Sequence, residues 1–131
     1  KLIPITVKLL TRGKKIKLHD KGEPIRNWLH SADTAVAVTT LIEAGMNHGI
    51  YNVAGGFEQR NIDTVRKVLE CYFGERRDWS EYLDLSYVRE GQDVRYALND
   101  DKLRSLGWEP QKKFDYEIKH IVKHYKSNFK W

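Results

Sequence analysis

Ile25-Arg26-Asn27-Trp28-Leu29-His30-Ser31-Ala32-Asp33, continuing through Ala35 to Ala44, decides the fold class. Ile25 to His30 has the β-branched and aromatic character of a short strand. Ser31 follows as a good N-cap, Asp33 complements the positive end of a helix, and Gly45 stops that helix. A strand that feeds a capped helix is the building unit of an α/β protein.

The flanks extend the pattern. Leu2, Ile3, Ile5, Leu9 and Leu10 recur at roughly helical spacing over residues 2–12, Pro4 is tolerated in a first turn, and Gly13 is a stop. Ile16 to His19 alternates as a half-buried strand, and Asp20 to Pro24 reads as a turn. Gly49 to Gly56 is expected to be a buried strand running into a flexible turn. A helix from Asn61, with Asn61 as N-cap, presents Ile62, Val65, Val68, Leu69 and Tyr72 on one face and ends at Gly74. Residues 75–84 read as an irregular connection. Leu85 to Val88 and Arg95 to Leu98 read as short strands, Lys102 to Leu106 as a short helix, and Asp115 to Tyr125 as the last helix. The expected fold is α/β, a small helix-rich domain with short strands, spanning 1–131 without a linker.

At 131 residues, 40% hydrophobic and 31% charged, the chain can bury a real core. No apolar run approaches the ~20 residues of a membrane span, and no signal-peptide architecture is present. The single cysteine, Cys71, cannot form an internal disulfide, which suits a reducing cytoplasm. A lone helical Cys reads as a small core residue. The chain opens on Lys1 and its only methionine is Met46, so the expectation is a start inside a longer polypeptide.

The net charge of +5 concentrates near the two ends, from Lys8 to Lys21 and from Lys112 to Lys130. Solvated helix faces account for many of these lysines. With no zinc-finger, helix-turn-helix or aromatic RNA-platform signature beside them, the expected partners exclude nucleic acid and membrane.

Several chemistries are absent. No G-x-G-x-x-G follows a strand; Gly55-Gly56 lacks the third glycine, so no dinucleotide fingerprint is present. No Tyr-x-x-x-Lys or Ser-x-x-x-Lys couple is placed as a proton relay. His120 and His124 have a permitted metal-ligand spacing but no H-E-x-x-H glutamate and no third ligand. No catalytic residue, metal ligand or cofactor-binding residue is therefore assigned.

What remains is a pair of arginines. Arg26 and Arg89 each stand beside turn-forming residues, and two converging guanidiniums can grip a diphosphate in a planar, bidentate manner. Gly91 permits a tight approach, and Asp93 can accept from a ribose hydroxyl. The alternative is that Arg26 pairs with Asp20, Glu23 or Asp33, and Arg89 with Glu90 or Asp93.

These motifs resemble, in order and spacing, the C-terminal substrate-binding part of the extended short-chain dehydrogenase/reductases, the NAD-dependent epimerase/dehydratase family. The likeness is strongest to its nucleotide-sugar 4,6-dehydratases of the dTDP-glucose type. Lys1-Leu2-Ile3-Pro4 is similar to the family's K-L-I-P, whose first two residues meet the nucleotide, and Arg26-Asn27-Trp28-Leu29 to R-D-W-L, whose arginine holds the diphosphate. Tyr51 to Gly56 resembles Y-N-I-G-G, and Arg60-Asn61-Ile62-Asp63 a K-N-x-D whose asparagine contacts the nucleotide. Arg89-x-Gly91-x-Asp93-x-Arg95-Tyr96-Ala97 resembles R-P-G-H-D-x-R-Y-A, with its first arginine near the diphosphate. Asp101 through Pro110 resembles the closing D-x-x-K-x-x-x-L-G-W-x-P. Gln92 departs from the family's histidine, Glu90 from its proline, and Lys17-Leu18-His19 from the P-I-Y beside the base.

The resemblance implies a substrate-binding set of Lys1, Leu2, Leu18, His19, Arg26, Asn61, Arg89, Gln92 and Asp93. It implies a nucleotide-diphosphate sugar as ligand. An N-terminal Rossmann domain would carry NAD and the catalytic residues, with this segment binding no cofactor itself and being inactive alone. A homodimeric parent would associate mainly through that other domain. In such an enzyme NAD oxidises the sugar at C4, water leaves across C5–C6, and hydride returns to C6. Alternatives are the C-terminal domain of a UDP-sugar 4-epimerase or decarboxylase and, from another class, a free-standing basic nucleic-acid-binding module.

Overall fold

The structure, a computed structural model, describes residues 1–45, 48–76 and 78–128. Met46 and Lys130, named above, and Arg77 of the 75–84 connection lie outside the described residues. Helix α1 (Leu2–Thr11) buries Ile3, Thr6, Val7 and Leu10, the i, i+3, i+4, i+7 stripe of one helix face. Helix α3 (Asn61–Phe73) buries Ile62, Thr64, Val65, Val68 and Leu69 and closes on Gly74 at φ +78. Helix α5 (Phe114–Ser127) adds Ile118 and Val122. These three helices share a core of Ile3, Val7, Val68, Ile118 and Val122. A second cluster joins Leu10 and α3 to Ile16, Leu18 and Trp79. Each such aliphatic side chain contributes roughly 1.5–3 kcal/mol of burial.

Strand β1 (Ile16–Lys17) pairs in parallel with β4 (Leu83–Asp84), and β2 (Ile25–Trp28) pairs antiparallel with β3 (Phe57–Arg60). The second register sets Arg26 against Gln59 and Trp28 against Phe57, so these four share one face. Between β2 and β3 runs α2 (Ser31–Glu43), which with the short α4 (Asp101–Arg104) and Trp108 forms a smaller third cluster around Ala37 and Leu103.

Asp33 ties that unit together. Buried to 2% exposure, its carboxylate accepts the backbone N–H groups of Gln111 and Lys112, both at 3.0 Å, while its carbonyl accepts the Trp108 indole N–H at 3.1 Å. Two buried donors outside the helix claim the carboxylate, so Asp33 is an inter-segment bolt as well as a first-turn anion.

Several expectations need correction. The N-cap of α2 is His30, whose Nδ1 accepts the Ala32 N–H at 3.1 Å; Ser31 is the first helical residue. Asn61 likewise lies inside α3, with Arg60 at the cap. The first strand stops at Lys17, because His19–Gly22 turns as a 3-10 segment with Asp20 and Lys21 at positive φ.

Gly49 to Gly56 forms no strand. Its polar groups are taken by α4 and the residues before it: Lys102 Nζ donates to Ile50 O, Asn52 Nδ2 donates to Asn99 O, and Gly55 N donates to Asp100 Oδ2. The strand instead follows the glycines, at Phe57–Arg60. Leu85 to Val88 and Arg95 to Leu98 run without ladders. Single bonds tack this stretch to its neighbours, Asp20 N to Tyr87 O and Ile25 N to Val94 O, with one bridge between Ile25 and Arg95.

Candidate functional site

A cleft of about 470 Å³ opens where the first turns of α1 and α3 meet β2. Lys1, Leu2, Arg26, Asn61 and Gln92 line it, with Trp28 and Ile121 as an apolar wall. Two helix N-termini therefore border the same opening, and each presents the positive end of its dipole. Lys1 and Arg26 add formal positive charge. The electrostatics suit an anion.

Arg26 is held rather than loose. Its Nη1 donates to the Ile25 carbonyl at 2.7 Å, and its guanidinium carbon sits 4.4 Å from the centre of the Tyr96 ring. Among the described residues it makes no ion pair with Asp20, Glu23 or Asp33. Its charge is thus braced by backbone and a π-face, and no carboxylate among the described residues pairs with it.

The Tyr96 hydroxyl donates to the Asp93 carboxylate, and that acidic partner pushes the phenol pKa above its ordinary value. Arg26 and Arg89 both pull it the other way. Arg89 itself is exposed and stands outside the cleft lining, while Asp93 is engaged by Tyr96.

The remaining sequence candidates lie elsewhere. Leu18 is 2% exposed, packed in the core with Leu10, Ile16 and Ile62, so its side chain faces away from solvent. His19 packs edge-on against Tyr87 at 4.8 Å, and Lys17 Nζ lies 5.8 Å from the centre of the same ring. Arg60, next to Asn61, is committed to Asp63 at 2.8 Å and to Glu23 at 3.4 Å, which raises its pKa.

Among the described residues, the buried side-chain polar atoms without a partner are His19 Nδ1, Trp28 Nε1, Gln59 Nε2 and Gln92 Oε1. Trp28 and Gln92 line the cleft, and Gln59 is the register partner of Arg26. Sequence reasoning gave no role to Trp28 or Tyr96. Trp28 was findable, since two residues after Arg26 on a strand it must share that arginine's face. Tyr96 comes beside Arg26 only through folding.

Gly55 does not fit a phosphate cradle. It sits at φ +79, and a Cβ there would come 2.7 Å from Leu29 Cδ1, while Gly56 leads into β3 rather than a helix. These residues do not fit a dinucleotide. Burial raises the Cys71 thiol pKa, the opposite of nucleophile activation. His120 packs beside Tyr116 and His124 beside Tyr125, and no group of three or more metal-ligating side chains is assembled among the described residues. No helix among them is long and apolar enough to cross a membrane.

The chain is similar in sequence and fold to known proteins. The NAD dependent epimerase/dehydratase family model matches residues 1–54. The dTDP-glucose 4,6-dehydratase 1 of Escherichia coli (strain K12) is 36% identical over 135 residues, covering 100% of this chain and 37% of the relative. The chain thus spans little more than a third of the length of the curated relatives it matches. A dTDP-glucose 4,6-dehydratase of Streptomyces venezuelae, solved with NAD and TYD bound, superposes with a TM-score of 0.85 at 31% identity, over 98% of this chain and 39% of that one. A UDP-glucose 4-epimerase of Thermus thermophilus, in complex with NAD, shares the fold at a TM-score of 0.78 and 22% identity, over 95% and 40%.

Proposed function

Starting from a chain whose homologues are NAD-dependent nucleotide-sugar dehydratases and epimerases, we propose that residues 1–131 form the substrate-binding lobe of a 4,6-dehydratase of the dTDP-glucose type. The lobe holds a nucleotide diphosphate between Arg26 and the first turns of α1 and α3, with Arg89, outside the cleft lining, as the second cation that the resemblance implies. A Rossmann domain outside these residues carries NAD and performs oxidation, dehydration and re-reduction in the cytoplasm. Here the chain's part is positioning, in which binding energy remote from the reacting carbons fixes where the hexose lies.

The observation that carries this reading is Arg26. It is fixed over Tyr96, free of any carboxylate among the described residues, and set at a cleft bordered by two helix N-termini. A cation held so firmly, with no counter-ion among the described residues, is arranged for a ligand's charge. The higher identity to the dehydratase structure, 31% against 22% for the epimerase, favours the dehydratase.

Isothermal titration of the chain with dTDP-glucose and with UDP-glucose tests the assignment. A charge-assisted hydrogen bond is worth about 1.5–3 kcal/mol, so Arg26→Ala is expected to weaken dTDP-glucose binding by one to two orders of magnitude. The melting temperature should stay unchanged. Equal affinity of Arg26→Ala and the unaltered chain would end the diphosphate reading. Tighter binding of UDP-glucose would move it to the epimerases.

A further inference from the structure

Residues 93–96 do more than pass beside the cleft. The Ile25 N–H donates to the Val94 carbonyl at 2.7 Å, and the Arg95 guanidinium grips the Glu58 carboxylate through Nε at 3.0 Å and Nη2 at 2.7 Å. Ile25 belongs to β2 and Glu58 to β3, so the segment is stapled to both strands of that pair. The next residue is Tyr96, with its ring centre 4.4 Å from the guanidinium carbon of Arg26. A ring that is 51% exposed can leave its rotamer unless its far end is tied. The tie is Asp93, whose carboxylate accepts the phenol O–H.

A phenol between carboxylate and cation has a chemical consequence. A carboxylate set directly on Arg26 would neutralise the charge that a diphosphate needs, and among the described residues Asp93 makes no ion pair with it. Through the ring, Asp93 fixes the guanidinium and leaves its charge uncommitted. A phenol that donates toward a carboxylate is also polarised, which enriches the face that it offers to the cation. One guanidinium N–H goes to the Ile25 carbonyl, and the rest meet no protein acceptor among the described residues.

Resting on the diphosphate assignment above, we infer that Asp93 and Tyr96 are positioning residues for Arg26. Asp93 orients the Tyr96 ring, the ring fixes the guanidinium, and neither side chain touches the ligand. Asp93 is thereby withdrawn from the ribose, the role that its acceptor oxygens suggest in the sequence.

The test is titration of the full 131-residue chain with inorganic pyrophosphate, dTDP and 2′,3′-dideoxythymidine diphosphate. Tyr96→Leu removes the π-face and is expected to weaken all three ligands about fivefold. Tyr96→Phe keeps the ring and removes the tie; Asp93→Ala removes the same tie from its other end. Each is expected to weaken all three ligands about threefold, and the double variant about threefold as well, since both changes break one bond. Independent roles would multiply to about ninefold and overturn the inference. Asp93→Asn keeps an acceptor oxygen and should recover most of the loss. In the Arg26→Ala chain, Asp93→Ala and Tyr96→Phe should have no further effect. An Asp93→Ala loss seen with dTDP and absent for the dideoxy nucleotide would give Asp93 back to the ribose hydroxyl.

Nuclear magnetic resonance of the ligand-free chain reads the brace directly, because the Tyr96 ring current displaces the Arg26 Nε–H signal. The displacement should vanish in Tyr96→Leu and shrink in Tyr96→Phe and Asp93→Ala. An Arg26 signal indifferent to Asp93→Ala would overturn the inference without any ligand. Losses in Arg26→Ala beside silent Asp93 and Tyr96 variants would overturn it too, and leave the diphosphate reading standing. A silent Arg26→Ala would overturn the diphosphate reading, with the ligand-free signal still deciding the brace.

Discussion

Asp100 shows how one side chain can decide an acid limit. Its carboxylate takes Arg104 Nε at 2.8 Å, Arg104 Nη2 at 3.2 Å and the Gly55 N–H at 3.0 Å. The Arg104 hydrogen bond is the main cause of its lowered pKa, with the Gly55 bond helping. A carboxyl held below its unfolded value contributes stability above the unfolded pKa, about 3.9, and loses it as pH falls through the folded value. Asp100→Asn is therefore expected to melt earlier than the unaltered chain at about pH 7. The gap should close as the medium is taken below about pH 4. Melting curves from about pH 7 to about pH 3 check this; a gap that persists unchanged at the acid end would mean that ionisation of Asp100 contributes nothing. Arg26 differs at the same scale, because it keeps its charge free of any such partner among the described residues.

At the scale of the element, legibility followed how far each segment's structure depends on itself. Helix α3 was readable because its apolar positions recur at helical spacing and Gly74 can adopt the left-handed closure. Strand β3, Phe-Glu-Gln-Arg, carries no strand signal beyond its first residue; it is extended because β2 offers it a ladder. Gly49 to Gly56 failed the other way. Ile50 and Val53 have strand character, yet Ile50 is 86% exposed, and the Lys102 and Asp100 side chains take the Ile50 carbonyl and the Gly55 N–H. The candidate site shows the same division. Arg26, Asn61, Lys1 and Leu2 were found from motifs, whereas the orphaned Trp28 N–H and the Tyr96 brace depend on three-dimensional neighbours no local pattern encodes. The turn before β2 allows a prediction of its own. Gly22 is at φ +80, and a Cβ there would meet Ile62 Cβ at 2.8 Å and Ile62 N at 3.0 Å, against the start of α3. Gly55 also has positive φ, but its nearest obstacle is the flexible end of Leu29. Gly22→Ala is expected to cost about 3 kcal/mol and Gly55→Ala about half as much, by urea unfolding. Because Ile62 adjoins Asn61, Gly22→Ala should also weaken ligand binding. Equal destabilisation by the two substitutions would remove the distinction.

Across the whole molecule the cores differ in size, and so should their stability. The layer of α1, α3 and α5 holds two clusters of aliphatic side chains, and α3 alone buries five residues. Helix α2 buries only Asp33 and Ala37, and it leaves Val36, Val38 and Ile42 exposed, the last at 72%. Its attachment runs largely through Asp33, Trp108 and the small cluster around Leu103. Units with little buried apolar area open below the global unfolding free energy. Amide hydrogen exchange is therefore expected to find α2 less protected than α3, with α2 opening as a unit. Asp33→Ala should widen the difference, because it strands the Gln111 and Lys112 N–H groups at roughly 1–3 kcal/mol each. That loss falls on α2 and the 108–112 segment, leaving α3 protection near its original level if global stability still exceeds the local opening. The cleft should respond little, since Lys1, Leu2, Arg26, Asn61 and Gln92 are carried by the stable layer, β2 and the 87–96 segment. An Asp33→Ala chain that exchanges α2 and α3 in step would show one cooperative unit, and the division into a firm binding layer and a looser α2 flank would then be wrong.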